Sequence, residues 1–158
     1  MSELPEVVVL SQEMPLVDMP RLYKGADAFV LPSRGEGWGR PHIEAMAMGL
    51  PAIATNWSGN TEFMLPENSF LIPIDGLEPV PEGAFKGHLW ASPSVKGLQA
   101  LMRGVFSDPG QARAVGAKGR EHVIGKYSPE SVGNIVLAHL YRIERGLGDG
   151  TKKKGMEL

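Results

Sequence analysis

An α/β fold, a parallel sheet followed by a cap of helices, is what this sequence predicts, and three observations carry that reading. Short apolar runs rich in β-branched residues alternate with helix-forming segments through the first half of the chain. The connections between them are short, as in strand–helix–strand units. The second half carries three helix starts in succession, each written as a polar residue followed by proline. The chain has 158 residues, 42% hydrophobic and 22% charged, which is globular composition and enough length for one domain with a core. Its 20 glycines and 13 prolines point to many tight turns and helix ends rather than to an internal repeat.

The first element is Val7-Val8-Val9-Leu10, a continuous apolar run that reads as a strand buried on both faces. A turn-rich segment with Pro15 and Pro20 follows, in which Asp18 is placed to cap a short helix holding Leu22 and Tyr23 and ended by Gly25. Residues 28–32 (AFVLP) form the next strand. After the turn Gly35-Glu36-Gly37-Trp38-Gly39, Pro41 opens a helix that reaches Met48 and stops at Gly49. Ala52–Thr55 and residues 70–74 are the third and fourth strands, completing a strand–helix half over residues 7–75. Residues 76–91 are rich in Pro and Gly and read as an ordered loop or hairpin insertion. Helices over 92–145 open at Ser92-Pro93, Asp108-Pro109 and Ser128-Pro129. The last aligns Val132, Ile135, Val136, His139, Leu140 and Ile143 in one stripe, the kind that docks on a neighbour. Residues 1–145 thus form one domain, and residues 146–158, with Gly, Asp and three lysines, a flexible tail.

Charge and cysteine content narrow the function. With 16 Lys and Arg against 18 Asp and Glu, net charge −2, nucleic acid and anionic membranes are not expected partners. The absence of cysteine excludes disulfide scaffolds, zinc ribbons and thiol catalysis, and fits a reducing cytoplasm without demanding it. No apolar run approaches the roughly 18 residues of a membrane span, and the first residues lack the apolar region of a signal peptide. The expectation is a cytoplasmic chain with no transmembrane segment.

The chemistry concentrates between Pro32 and Met46, where a strand ends, a glycine turn follows and a helix begins. In a parallel sheet that junction lies at the carboxyl edge, where ligands bind. Glycines let backbone N–H groups approach an anion, and the helix N-terminus favours a phosphate or pyrophosphate. Arg40 offers a full positive charge beside it, or a surface role. Glu36 precedes the helix and Glu44 lies inside it; five helical residues rise roughly 7.5 Å, so the acids bracket the anion. Carboxylates accept hydrogen bonds in pairs from vicinal hydroxyls, and a phosphate between two hydroxyl readers describes a nucleotide-sugar. Against that stands a plainer reading, in which Glu44 is a solvated helix face and Glu36 a turn residue. A dinucleotide fingerprint competes poorly: the glycines read G-x-G-x-G rather than G-x-G-x-x-G, and no acid follows at the end of the next strand.

Glu36 to Glu44 is an E-x7-E motif embedded in PS-x2-EGWG-x4-EAMAMGLPAIAT. It resembles the signature of the retaining glycosyltransferases of family 4, the group 1 transferases, which have the GT-B fold of two Rossmann-like domains. LYKGADAFVLPS before it and GREHVIGKYSPES after it resemble the C-terminal domain of the same family, so the likeness spans residues 7 to 145. The resemblance implies a partial Rossmann-like domain, the C-terminal one of GT-B. It implies that Glu36, the first acid of the motif, is the catalytic-site residue that holds donor-sugar hydroxyls near the reacting carbon. The amides around Gly37, Trp38 and Gly39 would contact sugar and pyrophosphate, and Glu44 the ribose diol. The turn at Glu13 and Met14 would meet the base edge. Arg40 has no fixed counterpart. No cofactor or obligatory metal is implied; the donor substrate is a nucleotide-sugar of UDP or GDP type.

Departures from the family pattern carry expectations of their own. The Arg and Lys with which the family binds the leaving diphosphate would precede residue 1, as would two strands and the acceptor-binding domain. The strand at Val7–Leu10 should then either pair directly with residues 28–32 or leave them as an open apolar edge, inviting self-association or a missing half supplied in trans. The isolated chain is expected to be inactive, with a non-catalytic interaction module as the alternative. His42, His88, His122 and His139 show no metal spacing; His42 stands out by lying inside the motif. Trp90 reads as a packing anchor, the eight methionines as core filler. Asn56-Trp57-Ser58 matches a glycosylation pattern but sits beside the candidate site.

Overall fold

The computed structural model describes residues 5–154, with side chains to residue 146. Helix α1 (Met19–Lys24) leads into strand β1 (Phe29–Leu31), helix α2 (Arg40–Ala47) and strand β2 (Ala52–Thr55). A short 3-10 turn at Gly59–Glu62 precedes β3 (Phe70–Ile72). The hairpin β4 (Ile74–Pro79) and β5 (Leu89–Pro93) follows, then helices α3 (Val95–Ser107), α4 (Pro109–Tyr127) and α5 (Pro129–Lys154). Strands β1, β2 and β3 form a parallel sheet in that order, with Val30 level with Ile53 and Ala54 level with Leu71. The α/β architecture with a helical cap is therefore present. Every residue of β2 is buried, as its central place requires.

The core lies between the sheet, α2 and α4. Met46, Ala54, Phe63 and Met64 are closed off from solvent, with Val123 of α4 against them. Helix α4 approaches through Ala112, Gly116, Gly119 and Val123, spaced four, three and four residues apart on one face. Two of those four positions have no side chain, which brings backbones together: a Cβ on Gly116 would run into the Gly49 carbonyl and the Leu50–Pro51 backbone. Arg120 of α4 donates to the Ala47 carbonyl at the C-terminal end of α2, satisfying one of the acceptors that a helix end leaves open.

Several elements differ from the sequence expectation, each for an identifiable reason. Val7–Leu10 forms no strand; its side chains are 62–81% exposed, and β1 keeps an unpaired outer edge among the described residues. Of the two outcomes expected for residues 28–32, the open edge is the one observed. The run over 70–74 is split at Pro73, which has no N–H for a ladder, and Ile74 starts the hairpin. The insertion is that hairpin, antiparallel from Ile74↔Pro93 to Pro79↔Leu89. Ser92 and Pro93 belong to β5, and the cap of α3 is Ser94, whose hydroxyl accepts from Gly97 N–H at 3.5 Å. Asp108 and Ser128 cap α4 and α5 as expected, accepting from Gln111 N–H at 2.9 Å and Ser131 N–H at 3.2 Å. Asp18 sits at the cap position of α1 but pairs with Arg21 at 2.9 Å instead. From Gly146 to Lys154 the chain continues α5 rather than leaving the helix; residues 155–158 of the expected tail lie outside the described residues. The α5 stripe is exposed, with Ile135 and Leu140 each more than half open to solvent.

Candidate functional site

Two loops at the carboxyl ends of neighbouring parallel strands build the site. The loop after β1 carries Glu36 to Gly39; the loop after β2 carries Ser58-Gly59-Asn60 and forms its floor. Glu36 N–H donates to Ser58 Oγ at 3.1 Å, Ser58 Oγ donates back to the Glu36 carbonyl at 2.7 Å, and Gly59 N–H donates to that carbonyl at 3.1 Å. Ser58 adopts φ +75°, an uncommon backbone for a residue with a Cβ, and the three hydrogen bonds hold it there. Gly59 lies so close under the turn that a Cβ would collide with the Gly37 carbonyl. Asn60 is buried and donates to the Thr55 carbonyl at 2.9 Å.

Gly39 is the N-cap of α2, with φ +91°. That left-handed backbone suits glycine, and space demands it too: a Cβ would stand 2.8 Å from His42 Nδ1 and 3.1 Å from Asn60 Cβ. The N-terminus of α2 therefore opens directly beside the glycine loop; His42 N–H and Ile43 N–H close back on the Gly39 carbonyl at 3.1 and 3.2 Å, and Pro41 has no N–H to offer. Trp38 does not project as a free platform. Its ring packs on Phe63 (5.2 Å between centroids) and Tyr127 (5.5 Å), tying the turn to the core and to the end of α4.

The two acids differ in their surroundings. The half-buried Glu36 makes no side-chain hydrogen bond or ion pair with the described residues. Glu44 accepts from the Tyr23 hydroxyl at Oε2, 3.2 Å away, and its Oε1 lies 3.7 Å from Arg40 Nη2. Burial, then the Glu44 carboxylate, push the Tyr23 phenol above its ordinary range. Arg40 is mostly exposed, and its pairing with Glu44 is of the surface kind. Arg34 is engaged elsewhere: it binds Glu78 at 2.9 Å, lies over the Trp90 ring and donates to the Ala91 carbonyl at 3.4 Å. Ala91 N–H in turn donates to the Arg34 carbonyl at 2.8 Å, pinning the hairpin to the start of the turn. Glu13 and Met14 line a groove with Leu10, Asp18, Arg21 and Leu22.

His42 is fully buried beneath Gly39 and meets Phe29 edge-on at 5.5 Å. Neither ring nitrogen has a hydrogen-bond partner among the described residues, although the Leu31 and Gly39 backbones lie beside the ring. Burial lowers its pKa, with the nearby Glu36 carboxylate acting in the opposite direction, so the ring is neutral at pH 7. Sequence reasoning overlooked Ser58-Gly59-Asn60 and Tyr23. The first carried a usable signal, a Ser-Gly-Asn turn two residues beyond a predicted strand; Tyr23 looked like ordinary helix filling. No group of three or more His, Asp or Glu among the described residues is arranged to hold a metal ion.

The family described as glycosyl transferases group 1 matches residues 2–122. The chain belongs to that family. Among its relatives is a GDP-mannose-dependent phosphatidylinositol monomannoside mannosyltransferase of Corynebacterium glutamicum, 30% identical over 123 residues, covering 73% of this chain and 28% of that one. A D-inositol 3-phosphate glycosyltransferase of Segniliparus rotundus is 27% identical across 88% of this chain and 27% of its own length. A UDP-Gal:α-D-GlcNAc-diphosphoundecaprenol α-1,3-galactosyltransferase of Escherichia coli is 39% identical over 62 residues, 39% of this chain and 16% of that one. The sucrose-phosphate synthase of Thermosynechococcus elongatus superposes with a TM-score of 0.58 at 27% identity, over 80% of this chain and 27% of the synthase. The fold of this group 1 chain is accordingly the Rossmann-like α/β type of GT-B enzymes. The chain spans less than a third of the length of each of these relatives. Among the described residues, no helix is long and apolar enough to cross a membrane.

Proposed function

We propose that this chain is the donor-binding part, from the C-terminal domain, of a retaining glycosyltransferase that moves a sugar from a nucleoside-diphosphate donor to an acceptor. The observation that carries the reading is the rigid glycine turn at the N-terminus of α2, flanked by two acids, of which Glu36 is held by its backbone and has no side-chain partner among the described residues. In this reading the amides of Gly37, Trp38 and Gly39, with the helix N-terminus, receive the pyrophosphate. Glu36 holds the donor-sugar hydroxyls beside the reacting carbon, Glu44 takes the ribose diol, and the reaction calls on no resident cofactor. Arg40 adds positive charge at the rim. Relatives named for UDP-galactose and for GDP-mannose support a donor of either base. A cytoplasmic location goes with this reading and accords with a cysteine-free chain.

Alone, the chain does not transfer sugar in this reading. Departure of a diphosphate needs charge stabilisation, and of the cations near the turn Arg34 is tied to the hairpin and Arg40 faces Glu44. The open edge of β1 and the exposed Val7–Leu10 run support completion by a further polypeptide segment in cis or in trans, or else an interaction module without transfer. An amide-resolved NMR titration with UDP, GDP and their glucose and mannose conjugates tests the donor site, with Glu44→Ala as control. Shifts centred on residues 36–44 and lost in the variant are expected; a dispersed spectrum indifferent to every nucleotide favours the interaction module. Detectable transfer by the purified chain would overturn its inactivity.

A further inference from the structure

We infer that Tyr23 is a positioning residue for Glu44, its hydroxyl holding one carboxylate oxygen so that the other is presented to a ribose, which makes the pair a selector of ribose over deoxyribose. The inference rests on the donor-site reading above.

Tyr23 is the one buried residue of α1, a helix of six residues. Its ring lies edge-on to Phe29 at 6.2 Å, against the cluster of Ala45 and Leu50. A phenylalanine would satisfy that packing. What the hydroxyl adds is the 3.2 Å hydrogen bond to Glu44 Oε2, reaching across 21 residues of sequence from α1 to α2. Glu44 Oε1 is thereby turned toward the first turn of α2, where Arg40 Nη2 lies 3.7 Å away. A glutamate on a helix surface otherwise samples several rotamers, and fixing one before binding reduces the entropy lost when a ligand docks. A carboxylate offers about four acceptor positions; the phenol uses one and the exposed Arg40 guanidinium faces another, which leaves two for the hydroxyls of a vicinal diol. A phenol is protonated at neutral pH, and burial and the Glu44 carboxylate push this one further up, so it is a donor there.

The test is calorimetric titration of the whole chain with UDP and GDP and with their 2′-deoxy counterparts, for wild type, Tyr23→Phe, Glu44→Ala and the double variant. Wild type should prefer the ribose form by roughly tenfold, the worth of a hydrogen bond to a charged group. Tyr23→Phe should weaken ribonucleotide binding severalfold while leaving deoxynucleotide binding unchanged, so that the preference shrinks toward one. The double variant should bind no worse than Glu44→Ala, since residues acting through one another are not additive. A packing role alone would weaken all four ligands equally. A ribose preference that survives Tyr23→Phe overturns the positioning role and leaves the donor site standing; a wild type that binds none of the four overturns the donor site and this inference with it. Should Tyr23→Phe unfold, NMR titration of the Tyr23 ring decides: its phenol pKa should fall in Glu44→Gln, and an unchanged titration refutes the coupling.

Discussion

The ground around the glycine turn and the flanks of the chain are built to different standards. Beneath the turn, Met46, Phe63 and His42 are sealed from water, and backbones meet across glycines. On the flanks, Val7–Leu10 lies open, Phe106 of α3 is 86% exposed, and an apolar groove of about 530 Å³ runs between the sheet and the α3–α4 corner, lined by Val30, Ile53, Met102 and Phe106. The stiffness of the candidate site therefore comes from the ends of β1 and β2 and from α2 against α4. The exposed apolar residues of the flanks have no such packing around them.

The sharpest test sets two helical glycines against each other. Gly116→Ala drives a Cβ into the backbone at Gly49 and should cost about 3 kcal/mol or more. Gly133→Ala, in α5 with open space around it, should stabilise by about 0.5–1 kcal/mol, the helix-propensity gain. Urea unfolding of both variants reads the difference. Equal effects would mean that α4 is not seated as closely as its glycines require.

Next in size is the clip under the turn. Ser58→Ala removes the hydroxyl that both accepts from and donates to Glu36 while keeping a Cβ in the left-handed backbone. The expected cost is about 2 kcal/mol, accompanied by amide shifts at residues 36–39. Stability lost without any change in the turn would separate the floor from the site.

The contrast between these regions also explains what could be read in advance. The parallel pattern of β1, α2 and β2 was legible because each carries a local signal: an apolar run, a proline in the first helical turn, a glycine stop. Glu36 and Glu44 were legible because their spacing and glycines sit together in sequence. Tyr23 and Ser58 were not, since each acquires its role from a residue 21 or 22 positions away. Val7–Leu10 misled for a related reason. β-branched residues express a preference for a pleated, half-buried surface, and no strand among the described residues supplies that surface.

His42 gives a pH-dependent version of the comparison. Its folded pKa lies below the ordinary histidine value because of burial, so the unfolded chain takes up the proton first as pH falls. The stability contributed by the neutral ring is complete above the unfolded pKa of about 6.5. It declines below that pH, by up to about 1.4 kcal/mol per pH unit, until the folded ring itself protonates. Paired urea melts of wild type and His42→Phe between pH 7.5 and pH 5 should show the extra acid sensitivity in wild type alone. Identical slopes would mean that the ring is reached by water.

The smallest effect on stability is expected on the flanks, and it is the one that tests what they are for. Val8→Thr and Phe106→Ser replace exposed apolar side chains, so each should alter the unfolding free energy by no more than about 0.5 kcal/mol. The two together should nevertheless lower any concentration-dependent self-association seen by sedimentation velocity, because they remove exposed apolar side chains. A loss well above 1 kcal/mol would show instead that these side chains are packed within the chain in solution. The division between a finished floor under the turn and an unfinished flank would then disappear, and with it the argument that the flank awaits a partner.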